Sequence, residues 1–196
     1  MLYPLYLTFK PKRLAAHLRV IDADGAPVFF LQQQALKVKD AITVYQSETK
    51  SKALFEISTD SVLGLNAAYA ISDSQGGDVG TLTREGKKSM LRASYAVSGS
   101  NGEPAFHVGA DSAWAKVFTS FADQLPVAGP IVGGLVKPSY SVSSGGPEGD
   151  TALTLTKTGR SKNKYTLEKT GDLEGERETL ALISASMALF RELDAA

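Results

Sequence analysis

Hydrophobic residues occur in two patterns along the chain, and each pattern predicts a different kind of element. Up to about residue 110, and again from residue 139 to residue 169, apolar and polar residues alternate in short runs separated by turn residues. Alternation with a period of two is typical of strands with one buried face. Residues 179–190 are instead apolar in every direction around a helix, which is typical of a helix that is buried on all sides.

The apolar stretch at 179–190 is too short to cross a bilayer. Its 12 uncharged residues would reach only about 18 Å as a helix, whereas the hydrocarbon core of a membrane is about 30 Å thick. Charged pairs bound the stretch, with Arg177 and Glu178 before it and Arg191 and Glu192 after it. We therefore interpret it as a core helix that the rest of the protein surrounds, and we expect no transmembrane segment.

The alternating segments predict many short strands. Turn sequences rich in glycine and asparagine or aspartate separate several of them, including residues 22–25, 73–77 and 98–102. Short strands at this regular spacing indicate a sandwich or a barrel. The predicted strands are residues 14–21, 28–36, 42–46, 53–58, 67–72, 79–84, 90–97, 139–143, 151–157 and 165–169.

A closed barrel around the apolar helix explains both patterns. Closure removes the unpaired edges of an open sheet, and the lumen of a barrel of about 12 strands is too wide for side chains alone to fill. A helix about 10 Å across would fill it. The sequence thus predicts a mainly β fold in a single domain spanning 1–196: a closed antiparallel barrel of about 12 strands around a buried hydrophobic C-terminal helix. One short extra helix is predicted near 112–124, where apolar residues recur at helical spacing.

Composition excludes several classes of function. The chain has no cysteine, which excludes disulfides, thiolate metal sites and thiol catalysis. Its formal net charge is zero, so no net charge favours nucleic acid as a partner. The N-terminal charges follow the apolar residues, the reverse of a signal peptide. We expect a cytoplasmic protein that needs no cofactor.

The densest basic cluster lies on a predicted hairpin and consists of Arg84, Lys87, Lys88 and Arg92. Arginine suits bidentate contact with phosphate and lysine supplies a point charge, so the four could converge on one anion. The alternative is a solvated hairpin whose charges prevent aggregation. A second basic cluster straddles a later turn: Lys157, Arg160, Lys162, Lys164 and Lys169.

Other motifs do not meet the requirements of their chemistry. The run from Gly80 to Lys88 has five residues between its glycines, one more than a phosphate-binding loop allows. Asp22 and Asp24 begin like a calcium loop, but the later ligands are missing. His17 has no acidic neighbour at ligand spacing, and neither does the other histidine of the chain. We therefore expect no metal site and no enzyme, unless a histidine meets a carboxylate in a polar pocket.

The chain resembles the LURP-one-related family, within the superfamily of tubby C-terminal and phospholipid-scramblase-like domains. The resemblance is carried by LYLTFKPKRLAAHLRVIDADGAPVFFLQQQALKVKDAITVY, VGTLTREGKKSMLRASYAV, LPVAGPIVGGLVKPSYSV and KYTLEKTGDLEGERETLALISASMALF. It implies a 12-stranded barrel threaded by a hydrophobic C-terminal helix. The chain lacks the cysteine cluster of scramblases and a dense acidic calcium loop, so the resemblance does not extend to lipid scrambling.

Together, the basic hairpin and the resemblance lead to two hypotheses of function. Tubby-like domains bind phosphoinositide headgroups, so the first is a non-enzymatic domain that binds an anionic phospholipid headgroup, peripherally at a membrane. The second is an intracellular protein-interaction or structural module without lipid affinity. Whether the two basic clusters share one side of the barrel distinguishes them.

Overall fold

The chain folds into a closed antiparallel barrel of 12 strands that surrounds a C-terminal helix. The computed structural model describes residues 1–11, 15–34, 41–59, 67–85, 94–110, 139–159 and 163–194. The predicted mainly β fold is therefore confirmed. The extra helix predicted near 112–124 lies outside the described residues.

The strands are short, with five to eight residues each. They are β1 (Leu5–Lys10), β2 (His17–Ile21), β3 (Pro27–Gln33), β4 (Ala41–Tyr45), β5 (Ala53–Thr59), β6 (Ala68–Asp73), β7 (Asp78–Glu85), β8 (Ser94–Gly99), β9 (Pro104–Ala110), β10 (Ser139–Ser144), β11 (Thr151–Lys157) and β12 (Lys164–Lys169). The helix α1 spans Gly175–Asp194.

Strand order around the barrel follows the order along the chain. Every strand pairs with the next one, and β1 closes the barrel by pairing with β12, with Leu5 opposite Leu167. The first and last strands of the chain therefore belong to one sheet. Because all pairs are antiparallel, successive connections lie alternately at the two ends of the barrel.

The alternation that predicts the strands also predicts their buried faces. In β11, Leu153 and Leu155 are buried, whereas Thr154 between them and Thr156 after them are partly exposed. Two strands, β1 and β9, are missing from those predicted. β1 lies between two prolines, and β9 begins at Pro104 and contains a glycine and a histidine. These residues are depleted in strands or interrupt a hydrophobic face, so they weaken the local pattern.

The helix is buried as its sequence predicts. All 11 residues from Leu180 to Phe190 are buried, and they share one hydrophobic core with the inward side chains of the strands. At one end, the ring of Phe190 meets that of Phe9 edge to face at 5.5 Å. At the other end, Leu180 packs close to the backbone of Gly80. The helix therefore spans the lumen from end to end.

Candidate functional site

The topology collects the connections into two groups. The end where α1 begins receives the connections 22–26, 46–52, 74–77, 100–103, 145–150 and 170–174. The end where α1 finishes receives 11–16, 34–40, 60–67, 86–93, 111–138 and 158–163. In sequence, the first group has eight acidic and two basic residues, whereas the second has four acidic and 11 basic residues. We call these the acidic end and the basic end.

Each basic cluster predicted from the sequence includes residues of a turn that joins strands at the basic end. One turn joins β7 to β8, and the other joins β11 to β12. Two strands, β9 and β10, separate the two hairpins around the barrel. The strands that carry the two turns therefore finish at the same end of the barrel, and whether the two clusters share one side stays a prediction.

Arg84 is the described member of the predicted anion site. It lies next to the last residue of β7, directly opposite Tyr95 of β8. Tyr95 is buried and faces the lumen, and residues that lie opposite each other point to the same face of a sheet. Arg84 is therefore an exposed residue on the inner face of the rim. The other three predicted residues, Lys87, Lys88 and Arg92, lie outside the described residues.

Charged side chains surround Tyr95 where the helix ends. Burial raises the pKa of the Tyr95 phenol, and Glu192 raises the same pKa further. The positive charges of Arg84 and Arg191 act in the opposite direction, and Arg191 also lies 5.6 Å from the ring centre of Tyr69. Arg84 thus belongs to a mixed group of charges at this rim, so it is only partly available to an added anion.

The second basic cluster is divided between the two ends. Lys157 and Lys164 lie at the basic end, where they flank the β11–β12 turn, and Arg160 and Lys162 of that turn lie outside the described residues. Lys169 lies at the acidic end, where its Nζ is 3.4 Å from Glu178 Oε1. The two parts of this cluster therefore cannot bind the same anion.

The contact made by Lys169 belongs to a group that fixes the start of the helix. Lys169 also donates a hydrogen bond to the carbonyl of Leu173, and its Nζ lies 5.7 Å from the ring centre of Tyr3. The Tyr3 hydroxyl donates to Glu178 Oε1 at 2.9 Å. Burial raises the pKa of Tyr3, and the hydrogen bond to Glu178 adds to the effect. This group ties the first turn of α1 to the N-terminal segment and to β12.

A carboxylate contacts a histidine on the outer face of the barrel, which sequence spacing did not reveal. Glu85 Oε2 lies 3.3 Å from His107 Nε2 and accepts a hydrogen bond from Ser94 at 3.1 Å. Sequence spacing misses the contact because three different strands supply the residues. In a catalytic triad the histidine lies between the carboxylate and the serine. Here the carboxylate lies between them, and no transfer of the serine proton to His107 follows.

The remaining motifs have structural roles. The imidazole of His17 packs on the ring of Phe30, with 5.1 Å between ring centres. Asp22 Oδ1 accepts hydrogen bonds from the backbone N–H groups of Asp24 at 3.1 Å and Ala26 at 2.9 Å. The aspartate of this stretch therefore closes a tight turn by accepting hydrogen bonds from the backbone.

A cleft opens at the acidic end between the start of α1 and two tight turns. It has a volume of about 810 Å³. Its walls are mixed, with Phe55, Val79 and Leu180 supplying apolar surface. The charged lining residues are Asp73, Asp78, Glu103, Glu176 and Arg177. Carboxylates therefore outnumber cations in this cleft, which suits it better to a cationic than to an anionic ligand.

Two further properties of the described residues concern metals and membranes. Within the described ranges, no group of three or more histidine, aspartate or glutamate side chains is arranged to hold a metal ion. None of the helical segments that the structure describes combines the length and the hydrophobicity needed to span a bilayer.

Comparison with known proteins gave no relative. No protein-family model matches the chain, and no match was found among curated proteins or among solved structures. The resemblance to LURP-one-related proteins therefore stays a prediction, and the chemistry of the site is argued from its own residues.

Proposed function

We propose that this chain is a non-enzymatic barrel domain of the LURP-one-related type that binds anionic phospholipid headgroups at a membrane surface. The observation that supports the proposal best is that both basic turns leave the barrel at the same end. Described cations on the flanking strands, Lys10, Arg84 and Lys164, are exposed at that end. A surface that presents many phosphates can engage all of these groups at once.

Binding would rest on the residues predicted from the sequence: Arg84, Lys87, Lys88 and Arg92. Each lysine or arginine near an anionic membrane surface contributes about 1 kcal/mol, so no single contact would be sufficient. Arginine adds directed hydrogen bonds to phosphate oxygens, and lysine adds attraction without a fixed geometry. Affinity should therefore fall as salt rises, because exposed charges are screened over about 8 Å at physiological ionic strength.

The rival proposal is a protein-interaction module without lipid affinity. The cleft at the acidic end favours it, because its excess of carboxylates would attract a basic partner and repel a phosphate. In this case the charges at the basic end would act as a solvated rim that opposes aggregation.

Co-sedimentation with vesicles separates the two proposals. The protein would be mixed with neutral vesicles and with vesicles containing phosphatidylserine or phosphoinositide, at low and at moderate salt. Lipid binding predicts retention on anionic vesicles that falls with salt. Neutralising Lys87 and Lys88 together, as Lys→Gln, should weaken retention on the order of tenfold or more, given about 1 kcal/mol for each charge.

The chain offers a matched control at the opposite end. Lys50 and Lys52 lie in the β4–β5 turn at the acidic end, and changing both to Gln removes the same net charge. This control should bind within about twofold of the unmodified protein, because strands of five to eight residues, at about 3.3 Å per residue, separate the two ends by more than the screening length of about 8 Å. Equal losses in both variants would exclude a specific site at 84–92. Absence of retention on any vesicle would favour the protein-interaction module.

A further inference from the structure

The cleft at the acidic end is built entirely from described residues. Strands β5 to β9, the turn between β8 and β9 and the first turns of α1 supply its lining. Its volume of about 810 Å³ falls in the range of about 300–1,000 Å³ that is usual for ligand pockets. A metal ion would leave most of this space unfilled, so the volume indicates an organic ligand or a segment of another protein.

One part of the lining is apolar. Phe55 and Val79 are partly exposed there, and the buried side chain of Leu180 lies beside them. The ring of Phe55 is held edge to face against that of Phe29, with 6.4 Å between the ring centres. This surface favours a ligand with an aliphatic part, because packing of the two removes apolar surface from water.

The other part of the lining carries negative charge that the described residues do not neutralise. Within the described ranges, Asp73, Asp78 and Glu103 form no ion pair. The turn hydrogen bonds that Asp73 accepts use Oδ1, so its Oδ2 is available to a ligand. These three carboxylates come from two different turns, since Asp73 and Asp78 flank the β6–β7 turn and Glu103 belongs to the β8–β9 turn.

The two charged lining residues on the helix do not change this balance. Glu176 lies in the first turn of α1, where its charge offsets the positive end of the helix dipole. Arg177 is the one cation among the described lining residues. Its guanidinium lies 5.1 Å from the ring centre of Phe106, on an aromatic ring rather than in an ion pair. The carboxylates of the turns therefore suit a ligand that supplies positive charge at more than one point.

We propose that the cleft binds a basic peptide segment of a partner protein, in which lysine or arginine residues flank an aliphatic side chain. The aliphatic side chain packs on the apolar part of the lining, and the flanking cations meet the carboxylates of the two turns. A peptide segment matches this arrangement better than a single small cation does, because its charges and its apolar group are spaced along one chain. The inference goes beyond phospholipid binding and holds whether or not the opposite end binds a membrane.

Fluorescence anisotropy with a short labelled peptide measures this binding without vesicles, so its outcome is separate from that of the phospholipid experiment. The probe has two leucines with a lysine on each side and glycine and serine elsewhere. We expect saturable binding that weakens as salt rises, because the charges involved are exposed. Absence of saturable binding to the unmodified protein would overturn the proposal.

Two altered peptides and one competitor test the chemistry of the ligand. A peptide with glutamate in place of lysine should not bind, and a peptide with serine in place of leucine should bind more weakly than the probe. Equal binding of either altered peptide would overturn the proposal. Displacement of the probe by free spermidine at the same concentration as the unlabelled peptide would overturn it as well, because positive charge without an apolar group would then be sufficient.

A pair of charge variants locates the binding site. Asp78 and Glu103 are exposed in the cleft, and D78N/E103Q should lower the affinity for the probe roughly threefold to tenfold, since each exposed ion pair contributes modestly. The control E148Q/D150Q removes the same charge from exposed positions of the β10–β11 turn, which belongs to the same end but does not line the cleft. It should bind within about twofold of the unmodified protein. Equal losses in the two variants would show general attraction to this end and would overturn the proposal.

An apolar variant tests the contact with leucine. Val79→Thr keeps the branched shape of the side chain and adds a hydroxyl to the apolar part of the lining. It should weaken binding of the leucine probe and leave binding of the serine peptide nearly unchanged. The same effect on both peptides, or no effect on either, would show that leucine does not pack in the cleft and would overturn the proposal.

Discussion

The two ends of the barrel differ in the length of their connections and in the sign of their charge. At the acidic end the connections have four to seven residues, and at the basic end they have six to 28. Several acidic-end turns close in the same way, with a side-chain oxygen accepting backbone N–H groups: Asp22, Asp73 and Asn101 do so. Aspartate and asparagine are favoured in such turns, so part of the negative charge at this end follows from turn chemistry.

This difference shows how topology can sort the charges of a neutral chain into two groups of connections. In an up-and-down barrel, every second connection lies at the same end, so the charges of alternate connections add. The short connections at the acidic end contain aspartates that close turns. Basic residues are concentrated in the connections at the basic end. Net charge summed over the chain therefore says nothing about which surface a partner meets.

The ends also differ in how the helix is held. At the basic end the rings of Phe9 and Phe190 meet edge to face. At the acidic end the side chain of Leu180 packs against the backbone of β7. Gly80 allows this close approach because it has no side chain. Three tests, in order of expected effect, concern the middle of the helix, its close contact at the acidic end and one acidic-end turn.

The largest effect should come from placing a charge in the middle of the helix. Ala185 and Met187 are each 1% exposed, so Ala185→Asp or Met187→Asp would bury a carboxylate among apolar side chains. The free-energy cost of burying an unpaired carboxylate exceeds the free energy of unfolding of most domains. We therefore expect loss of cooperative unfolding in a thermal melt. Gln75→Asp, at an exposed turn position, adds the same group as a control and should melt like the unmodified protein. A soluble Ala185→Asp variant that melts cooperatively would show that the helix is not central to the fold.

A smaller effect should come from the close contact at the acidic end. A Cβ on Gly80 would lie 2.4 Å from the carbonyl oxygen of Ser98 and 3.2 Å from Leu180 Cδ1, so Gly80→Ala must move the wall or the helix. Overpacking of this kind costs about 1–3 kcal/mol, measurable by urea unfolding. Gly146→Ala is the control, because its Cβ would meet nothing within 4 Å. Equal stability of the two variants would mean that the contact is loose.

The smallest effect should depend on pH and concerns the β2–β3 turn. Burial alone would raise the pKa of Asp22, but hydrogen bonds from the N–H groups of Ala26, Leu2 and Asp24 hold this pKa below its usual value. The carboxylate therefore stabilises the fold above its unfolded pKa of about 3.9, and the contribution disappears as pH falls through the lower folded value.

Asp22→Asn keeps the oxygen Oδ1 that accepts from Asp24 and Ala26, removes the charge, and replaces Oδ2, which accepts from the N–H of Leu2 at 3.4 Å. The loss of melting temperature relative to the unmodified protein should be present at neutral pH and should vanish in strong acid. Asp24→Asn removes one charge from the same turn without taking away an acceptor oxygen of the described turn hydrogen bonds. A deficit for Asp22→Asn that is the same at all pH values would show that the charge of the carboxylate does not matter.

Most of the fold could be predicted because its determinants are local. Side-chain alternation indicated ten of the 12 strands, and the apolar run at 179–190 indicated the buried helix. The site was less predictable, because its geometry depends on pairing between distant strands. Glu85 meets His107 only because β7, β8 and β9 are neighbours in register, and the two basic turns share an end only because the barrel alternates.

The sequence by itself determined which residues turn inward and that a helix must fill the lumen. Both follow from periodicity and from the cost of exposing apolar surface, and they can be read from neighbouring residues. Only the tertiary structure decided which charges stand together. The order of charges along a chain does not show which of them share an end until antiparallel pairing assigns successive connections to opposite ends, and here that pairing separates connections rich in acidic residues from connections rich in basic residues.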